Sequence, residues 1–175
     1  MAIVNSRVEG IDVVLEKLNI EIMKLKGNVI GGMLEAAIHI RRETEKMGNI
    51  MTPVDLGNLR VSWYVVSSKG LQADPIGVSG QFKNRPFKKM QIKASQMKAE
   101  HASEISNARA AVSANKDMVI LGYSANYAIF VHENMNAVFQ QKDGRTAGAK
   151  WFEAALRNNQ TKILEIIKKK AAETL

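Results

Sequence analysis

Residues 52–66, TPVDLGNLRVSWYVV, decide the fold because they combine a turn with the start of a sheet. Pro53 fixes its own φ angle, the carboxylate of Asp55 can accept hydrogen bonds from nearby backbone N–H groups, and Gly57 tolerates a positive φ. Together with Asn58, these residues predict a tight and rigid turn. A catalytic role for Asp55 is the weaker interpretation, because the proline and the glycine need a turn-holding side chain beside them.

Immediately after the turn, apolar and other side chains alternate over residues 59–66. The content of β-branched and aromatic residues is high, as is typical of strands. The pattern predicts one strand with a single buried face, formed by Leu59, Val61, Trp63 and Val65.

Before the turn, apolar residues recur every three or four positions over residues 9–26 and again over residues 30–44. This spacing predicts amphipathic helices. Gly27 and Asn28 stand between the two patterns. We therefore expect either two helices or one helix with a kink.

After the strand, residues 74–80 contain glycines and a proline and predict a turn with a short strand, whereas residues 81–90 have no clear period. Residues 94–114 favour a helix but offer few large apolar groups, so we expect that helix to be held weakly by the core. The segment 82–116 is therefore predicted to be an insertion or arm.

Two β-prone runs, residues 118–123 and 126–133, predict a hairpin. Its candidate core residues are Val119, Leu121, Ala128 and Phe130. Residues 134–145 are polar and predict a loop, and Thr146 is placed to cap one final helix. The apolar stripe expected for that helix is Phe152, Ala155, Leu156, Ile163, Ile166 and Ile167.

Composition limits the classes of protein to consider. A chain of 175 residues with 46% hydrophobic and 24% charged residues is typical of one globular domain, here 1–175. There are no cysteines, so we expect neither disulfides nor thiolate sites. No apolar run approaches the length of a membrane span and no secretory signal is seen, so we expect a protein that is made in a cytoplasm, without a membrane partner.

The formal net charge is +8, which favours contact with polyanions or acidic protein surfaces. Much of the excess lies in residues 83–109, where seven cations face two carboxylates. These cations are candidates for contacts with a neighbouring subunit or with DNA in a channel: Lys83, Arg85, Lys88, Lys89, Lys93, Lys98 and Arg109. A solvated loop is the competing interpretation.

No constellation of catalytic or metal-binding residues is visible, so we expect no enzyme, metal or cofactor. The histidines His39, His101 and His132 are far apart in sequence, and on a strand His132 and Glu133 would point to opposite faces. Trp63 and Trp151 fit either the core or an interface, where tryptophan is often a strong anchor.

Residues 53–60, PVDLGNLR, followed by a strand, resemble the Pro-Val-Asp-Thr-Gly-Asn-Leu-Arg-like turn of a neck and tail-completion family of tailed bacteriophages. Leu56 stands where that family commonly has threonine. Gly122 and residues 127–133, YAIFVHE, resemble the family's glycine-containing strand and Tyr-Ala-x-x-Val-Glu segment, with the glutamate shifted by one residue. Residues 151–156, WFEAAL, resemble its aromatic and alanine-rich final helix, without the usual preceding proline.

The resemblance implies an α+β subunit with N-terminal helices, an antiparallel sheet of about four strands and a C-terminal helix. It also implies a structural protein of the virion: a ring of six or twelve copies at the head–tail junction, between the portal-side connector and the tail-tube proteins, with genomic DNA passing through its lumen. Neck ring and tail terminator both fit. The alternative is a basic nucleic-acid-binding module that acts outside a ring, although no helix-turn-helix or stacking platform is visible.

Overall fold

A computed structural model of the chain describes residues 11–55, 57–68, 70–71, 81–84, 93–139, 141 and 144–173. A long helix, α1 (Ile11–Glu43), precedes the turn, and a single helical turn, α2 (Asn58–Val61), leads into strand β1 (Trp63–Ser67). The remaining elements are β2 (Gly70–Leu71), α3 (Ala94–Ala114), β3 (Val119–Tyr123), α4 (Ala128–Glu133), α5 (Trp151–Asn158) and α6 (Gln160–Ala172). The chain is thus a mixture of helices and antiparallel strands, as predicted.

The sheet is antiparallel, with the strand order β2-β1-β3. Trp63 lies opposite Tyr123 at one end of the β1–β3 pair, and Ser67 lies opposite Val119 at the other. Three strands are present among the described residues, where about four were expected. The short strand predicted within residues 74–80 lies outside the described residues.

The strand predicted over residues 59–66 begins only at Trp63, so the prediction is wrong for its first half. Residues 58–61 form a helical turn, whose end is held by the Ser62 hydroxyl donating to the Leu59 carbonyl oxygen at 2.8 Å. The prediction of one buried face is also wrong for β1, because Val65 and Val66 are both buried. Successive strand residues point to opposite faces, so both faces of β1 are covered.

A helix packs against each face of β1. On one face, Trp63 and Val65 pack with Leu34 and Ala37 of α1. On the other face, Val66 packs with Ala108 and Val112 of α3. Helix α3 has the predicted bounds 94–114, and its buried residues hold it more firmly than its small side chains indicated.

Helix α1 runs without interruption through Gly27 and Asn28, which suggested a break or a kink. At Gly32 the absence of a side chain lets α6 approach closely, because a Cβ built there would lie 2.9 Å from the Ile167 Cα. The Nε2 of His39 lies 3.1 Å from the Asn159 Oδ1. Since residue numbers rise along α6 as they fall along α1, the two helices are antiparallel.

The hairpin predicted over residues 118–133 is half correct. Its first run forms β3, but its second run forms the helix α4. Tyr127, Ala128 and Val131 pack against the core, a spacing of one and three that fits a helix rather than a strand. Phe130 was expected in the core and is instead 74% exposed.

The C-terminal region forms two helices instead of one, and Thr146 does not cap either of them. The carbonyl oxygen of Thr146 accepts a hydrogen bond from the Met51 backbone N–H at 2.8 Å, beside the Met51–Ala147 bridge. Helix α5 begins at Trp151, after Lys150 in the left-handed conformation with φ of 57°. The predicted loop over 134–145 holds no helix or strand among its described residues.

Candidate subunit-assembly site

The turn before α2 is built by the residues that predicted it. Its entry is fixed by the Thr52 backbone N–H, which donates to the Thr44 carbonyl oxygen at 2.9 Å. Gly57 has φ of +88°, which glycine adopts without a Cβ penalty, and it precedes α2 directly. Pro53 is half-buried, and Asp55 is exposed. The turn therefore brings Asn58 into the protein.

Asn58 is buried and bonds the backbone of Lys83 through both ends of its side-chain amide. Its Nδ2 donates to the Lys83 carbonyl oxygen at 2.8 Å, and its Oδ1 accepts from the Lys83 backbone N–H at 2.7 Å. The adjacent Phe82 joins the core formed with Leu59, Met97 and Trp151. Asn58 thus ties the start of the segment 82–116 to the turn.

Near the turn, the carboxylate of Glu45 is shared by the guanidinium groups of Arg41, Arg60 and Arg145. Glu45 accepts a hydrogen bond from the Arg41 guanidinium at 2.6 Å and another from Arg145 at 2.8 Å. It also forms an ion pair with the Arg60 Nε at 2.6 Å. This arginine–glutamate cluster links the end of α1, the helical turn α2 and the loop before α5, and it carries two positive charges in excess.

Arg41 is the buried member of the arginine–glutamate cluster. Its guanidinium also donates to the Arg60 carbonyl oxygen at 2.9 Å and lies 5.9 Å from the centre of the Trp63 ring. The sequence patterns did not indicate this cluster. The spacing of four residues between Arg41 and Glu45 was a signal for a helix pair, but nothing in the sequence pointed to Arg145, which is 100 residues from its partner.

The two tryptophans lie in the core. Trp151 is 1% exposed and Trp63 is 6% exposed, so neither offers surface to a partner. Tyr123 stands between them, with its ring centre 5.8 Å from that of Trp63 and 5.9 Å from that of Trp151, both edge to face. Such aromatic contacts favour a fixed arrangement of β1, β3 and α5.

His132 and Glu133 meet, contrary to the strand-based expectation, because both lie on α4. The His132 Nδ1 is 2.6 Å from the Glu133 Oε1, and the His132 ring packs edge-on against Trp151. Glu133 also bonds the Lys150 ammonium. The hydrogen bonds from Lys150 and His132 hold the pKa of Glu133 below its ordinary value. This network fastens α4 to the start of α5.

His101 is a residue of α3, and its side chain is buried. Its Nδ1 lies 2.6 Å from the Ser124 Oγ, and this hydroxyl donates to the Ser62 carbonyl oxygen at 3.2 Å. Its ring packs edge to face against Tyr64 and Phe82. The three histidines are thus held in three separate parts of the structure.

The basic candidate residues that can be placed are exposed: Lys83, Lys93, Lys98 and Arg109. Lys98 and Arg109 lie on α3, eleven residues apart, and so share one side of that helix. Arg85, Lys88 and Lys89 lie outside the described residues. The described cations are therefore spread along α3 and its approach and do not form a compact patch.

In two segments of the described chain, several exposed apolar side chains lie close together in sequence. The first, here called the arm, is residues 15–26 of α1, every one of which is exposed. The second, here called the α4 surface, comprises the exposed Ile129 and Phe130 of α4 and the exposed Met135 and Val138 that follow it. Clusters of exposed apolar groups commonly mark interaction sites, whereas single ones are ordinary. The arm and the α4 surface are thus the candidate sites of assembly.

Small grooves lie on the described surface. A groove of about 370 Å³ lies between α1 and α6 and is lined by charged residues, and another of about 350 Å³ lies beside α3 and α4. Within the described ranges, no group of three or more histidine and acidic residues is arranged to hold a metal ion. No described helix is long and apolar enough to cross a membrane.

Comparison with known proteins gives no match to a protein-family model, to a curated protein or to a solved structure. The functional interpretation therefore depends on the sequence motifs and on the described surfaces.

Proposed function

We propose that this chain is a structural virion protein of a tailed bacteriophage that forms a ring at the head–tail junction, as a neck or tail-completion protein. The observation that carries the proposal is the presence of two unlike exposed apolar surfaces on one chain, the arm and the α4 surface. A ring closes through a contact between two different surfaces of the same subunit, whereas a simple dimer uses one surface twice.

The roles of the motif residues support the resemblance. In the Pro-Val-Asp-x-Gly-Asn-Leu-Arg motif, Gly57 supplies a positive φ, Asn58 ties down the backbone of Lys83, and Arg60 pairs with Glu45. Glycine adopts a positive φ without a Cβ penalty, and an asparagine amide can both donate to and accept from the backbone. Structural roles for these three motif residues support an architectural protein, and the proposal assigns the motif no chemical step.

Six or twelve copies would form the ring, with the portal-side connector on one side and tail-tube proteins on the other. Genomic DNA would pass through the lumen, where exposed cations such as Lys98 and Arg109 would meet phosphate groups. The protein would be assembled in the host cytoplasm and reside in the virion, without a cofactor or a catalytic role.

Negative-stain microscopy of the purified full chain tests the proposal. We expect rings, together with a mass in light scattering that is six or twelve times the 19.4 kDa of one chain. A chain that stays monomeric at high concentration, and also in the presence of phage heads and tails, contradicts the proposal.

A gel-shift series with a short DNA duplex tests the alternative of a nucleic-acid-binding module. Tight binding by a monomer that weakens steeply with salt favours that module. Matched variants, Lys98→Gln and Arg109→Gln, should then reduce binding. Rings that bind DNA weakly favour the virion protein.

A further inference from the structure

The arginine–glutamate cluster holds more positive charge than its carboxylate balances. The Oε1 of Glu45 accepts a hydrogen bond from Arg41, and its Oε2 lies 2.6 Å from the Arg60 Nε and 2.8 Å from an Arg145 terminal nitrogen. Both carboxylate oxygens are therefore engaged. Within the described ranges, no second carboxylate pairs with any of the three arginines. Two positive charges are thus left without a counter-charge from the described chain.

Arg60 and Arg145 reach the surface, whereas Arg41 is enclosed. The side chains of Arg60 and Arg145 are 37% and 20% exposed. In the part of the chain that the structure describes, the terminal nitrogens of Arg60 and the Nε and Nη1 of Arg145 make no hydrogen bond, and none of these atoms is buried. Both guanidinium groups therefore keep N–H donors for a ligand that approaches from solvent.

The backbone holds both arginines in place. The carbonyl oxygen of Arg60 accepts a hydrogen bond from the Arg41 guanidinium at 2.9 Å. Beside Arg145, the Thr146 carbonyl oxygen accepts from the Met51 backbone N–H at 2.8 Å. A ligand would thus meet a largely preformed pair of guanidinium groups, which lowers the entropic cost of binding.

We infer that Arg60 and Arg145 together bind a free phosphate ion. A guanidinium group presents its N–H donors in a planar fork that matches phosphate oxygens, often two at a time. A phosphate with a titratable second proton carries roughly 1.5 to 2 negative charges at pH 7, close to the two positive charges in excess. Phosphate binding here does not depend on the proposed ring.

A carboxylate and a DNA phosphodiester are poorer matches to the pair. Each carries one negative charge, so each would leave one positive charge of the cluster unbalanced. A carboxylate also offers two oxygens, whereas free phosphate offers four to the two guanidinium forks. The charge and the number of acceptors both favour free phosphate.

Titration calorimetry of the purified full chain with sodium phosphate, in HEPES buffer at constant ionic strength, tests the inference. We expect one phosphate ion per chain. Arg60→Gln and Arg145→Gln should each weaken binding by about tenfold, because each removes charge-assisted hydrogen bonds. Circular dichroism checks that both variants fold. The matched control is Arg157→Gln, which removes an exposed arginine paired with Glu153 and should leave binding unchanged.

Glu45→Gln raises the positive excess instead of lowering it. The variant keeps an oxygen acceptor and loses the negative charge, so phosphate should bind about tenfold more tightly than to the wild type. In thermal unfolding, phosphate should therefore raise the Tm of Glu45→Gln more than that of the wild type. A purely structural role of the arginines would give equal shifts.

Four results overturn the inference. Equal phosphate affinity of the wild type and Arg145→Gln places the ion elsewhere. Sodium acetate that binds as tightly as phosphate identifies a carboxylate as the ligand. Binding of a DNA duplex that depends on Arg145, without binding of free phosphate, assigns the pair to nucleic acid. Sodium chloride that reproduces the Tm shifts at the same ionic strength reduces the effect to screening.

Discussion

Gly32 of α1 and Ile167 of α6 approach so closely that a Cβ added to the glycine would lie 2.9 Å from the Ile167 Cα. The neighbouring Lys170 Cβ would lie at 3.1 Å. Backbone atoms cannot rotate away as a side chain can, so this contact fixes the separation of the two helices.

We expect Gly32→Ala to destabilise the protein by about 1–3 kcal/mol through overpacking, although alanine is the better helix former by about 1 kcal/mol. The comparison variant is Gly148→Ala, whose methyl group would meet the Ile50 Cγ2 at 3.0 Å, a side chain that can move. Urea unfolding measures both changes. A gain in stability for Gly32→Ala contradicts the close crossing.

Glu45→Gln tests the arginine–glutamate cluster. The change leaves three guanidinium groups together without a carboxylate, and we expect a loss of about 2–3 kcal/mol in the free energy of unfolding, less than for a fully buried pair because Arg60 and Arg145 retain water. Glu165→Gln, which breaks an exposed pair with Lys162, should cost less than about 0.5 kcal/mol. Equal effects in urea unfolding would show that the cluster contributes little.

Asn58→Ala removes both hydrogen bonds to the Lys83 backbone. We expect a loss of about 2 kcal/mol, since each bond contributes about 1 kcal/mol and the backbone groups would lose their partner. Asn126→Ala, at an exposed position, serves as the control. A change no larger than that of the control would mean that Lys83 is held by other contacts.

The pH dependence of stability tests the network on α4. The pKa of Glu133 is lowered in the folded protein by its hydrogen bonds to Lys150 and His132, so its contribution is present above the ordinary value of 4.5 and is lost as the pH falls through the folded-state pKa. Glu133→Gln lacks this contribution. Its stability should therefore differ from that of the wild type at pH 7 and converge toward it in acid. Parallel pH profiles contradict this expectation.

The turn, the helix over 94–114 and the first strand of the predicted hairpin could be predicted because local residue types specify them. Pro53 restricts its own φ angle, and Gly57 permits the positive φ that the turn requires. The first error arises from tertiary packing. Gly27 and Asn28 look like a helix end in isolation, but α1 continues through them with α6 packed against its later turns.

The second wrong prediction concerns the spacing of the apolar residues along 127–133. Residues 127–133 contain β-branched and aromatic side chains, and alternation placed Phe130 inside. The core instead contacts Ala128 and Val131, three residues apart, and a short apolar run does not distinguish the two periods by itself. The arginine–glutamate cluster was missed for another reason, since Arg145 reaches Glu45 only after the chain has folded.

The amide of Asn58 recognises only the main chain of residue 83, never its side chain. Position 83 can accordingly accept almost any substitution without disturbing the fold, proline being the exception because it lacks the N–H that the amide accepts. Position 58 has no such freedom. The charge of residue 83, at the start of the segment 82–116, could therefore change during evolution with little loss of stability. Such a change would adapt the segment to a new neighbour.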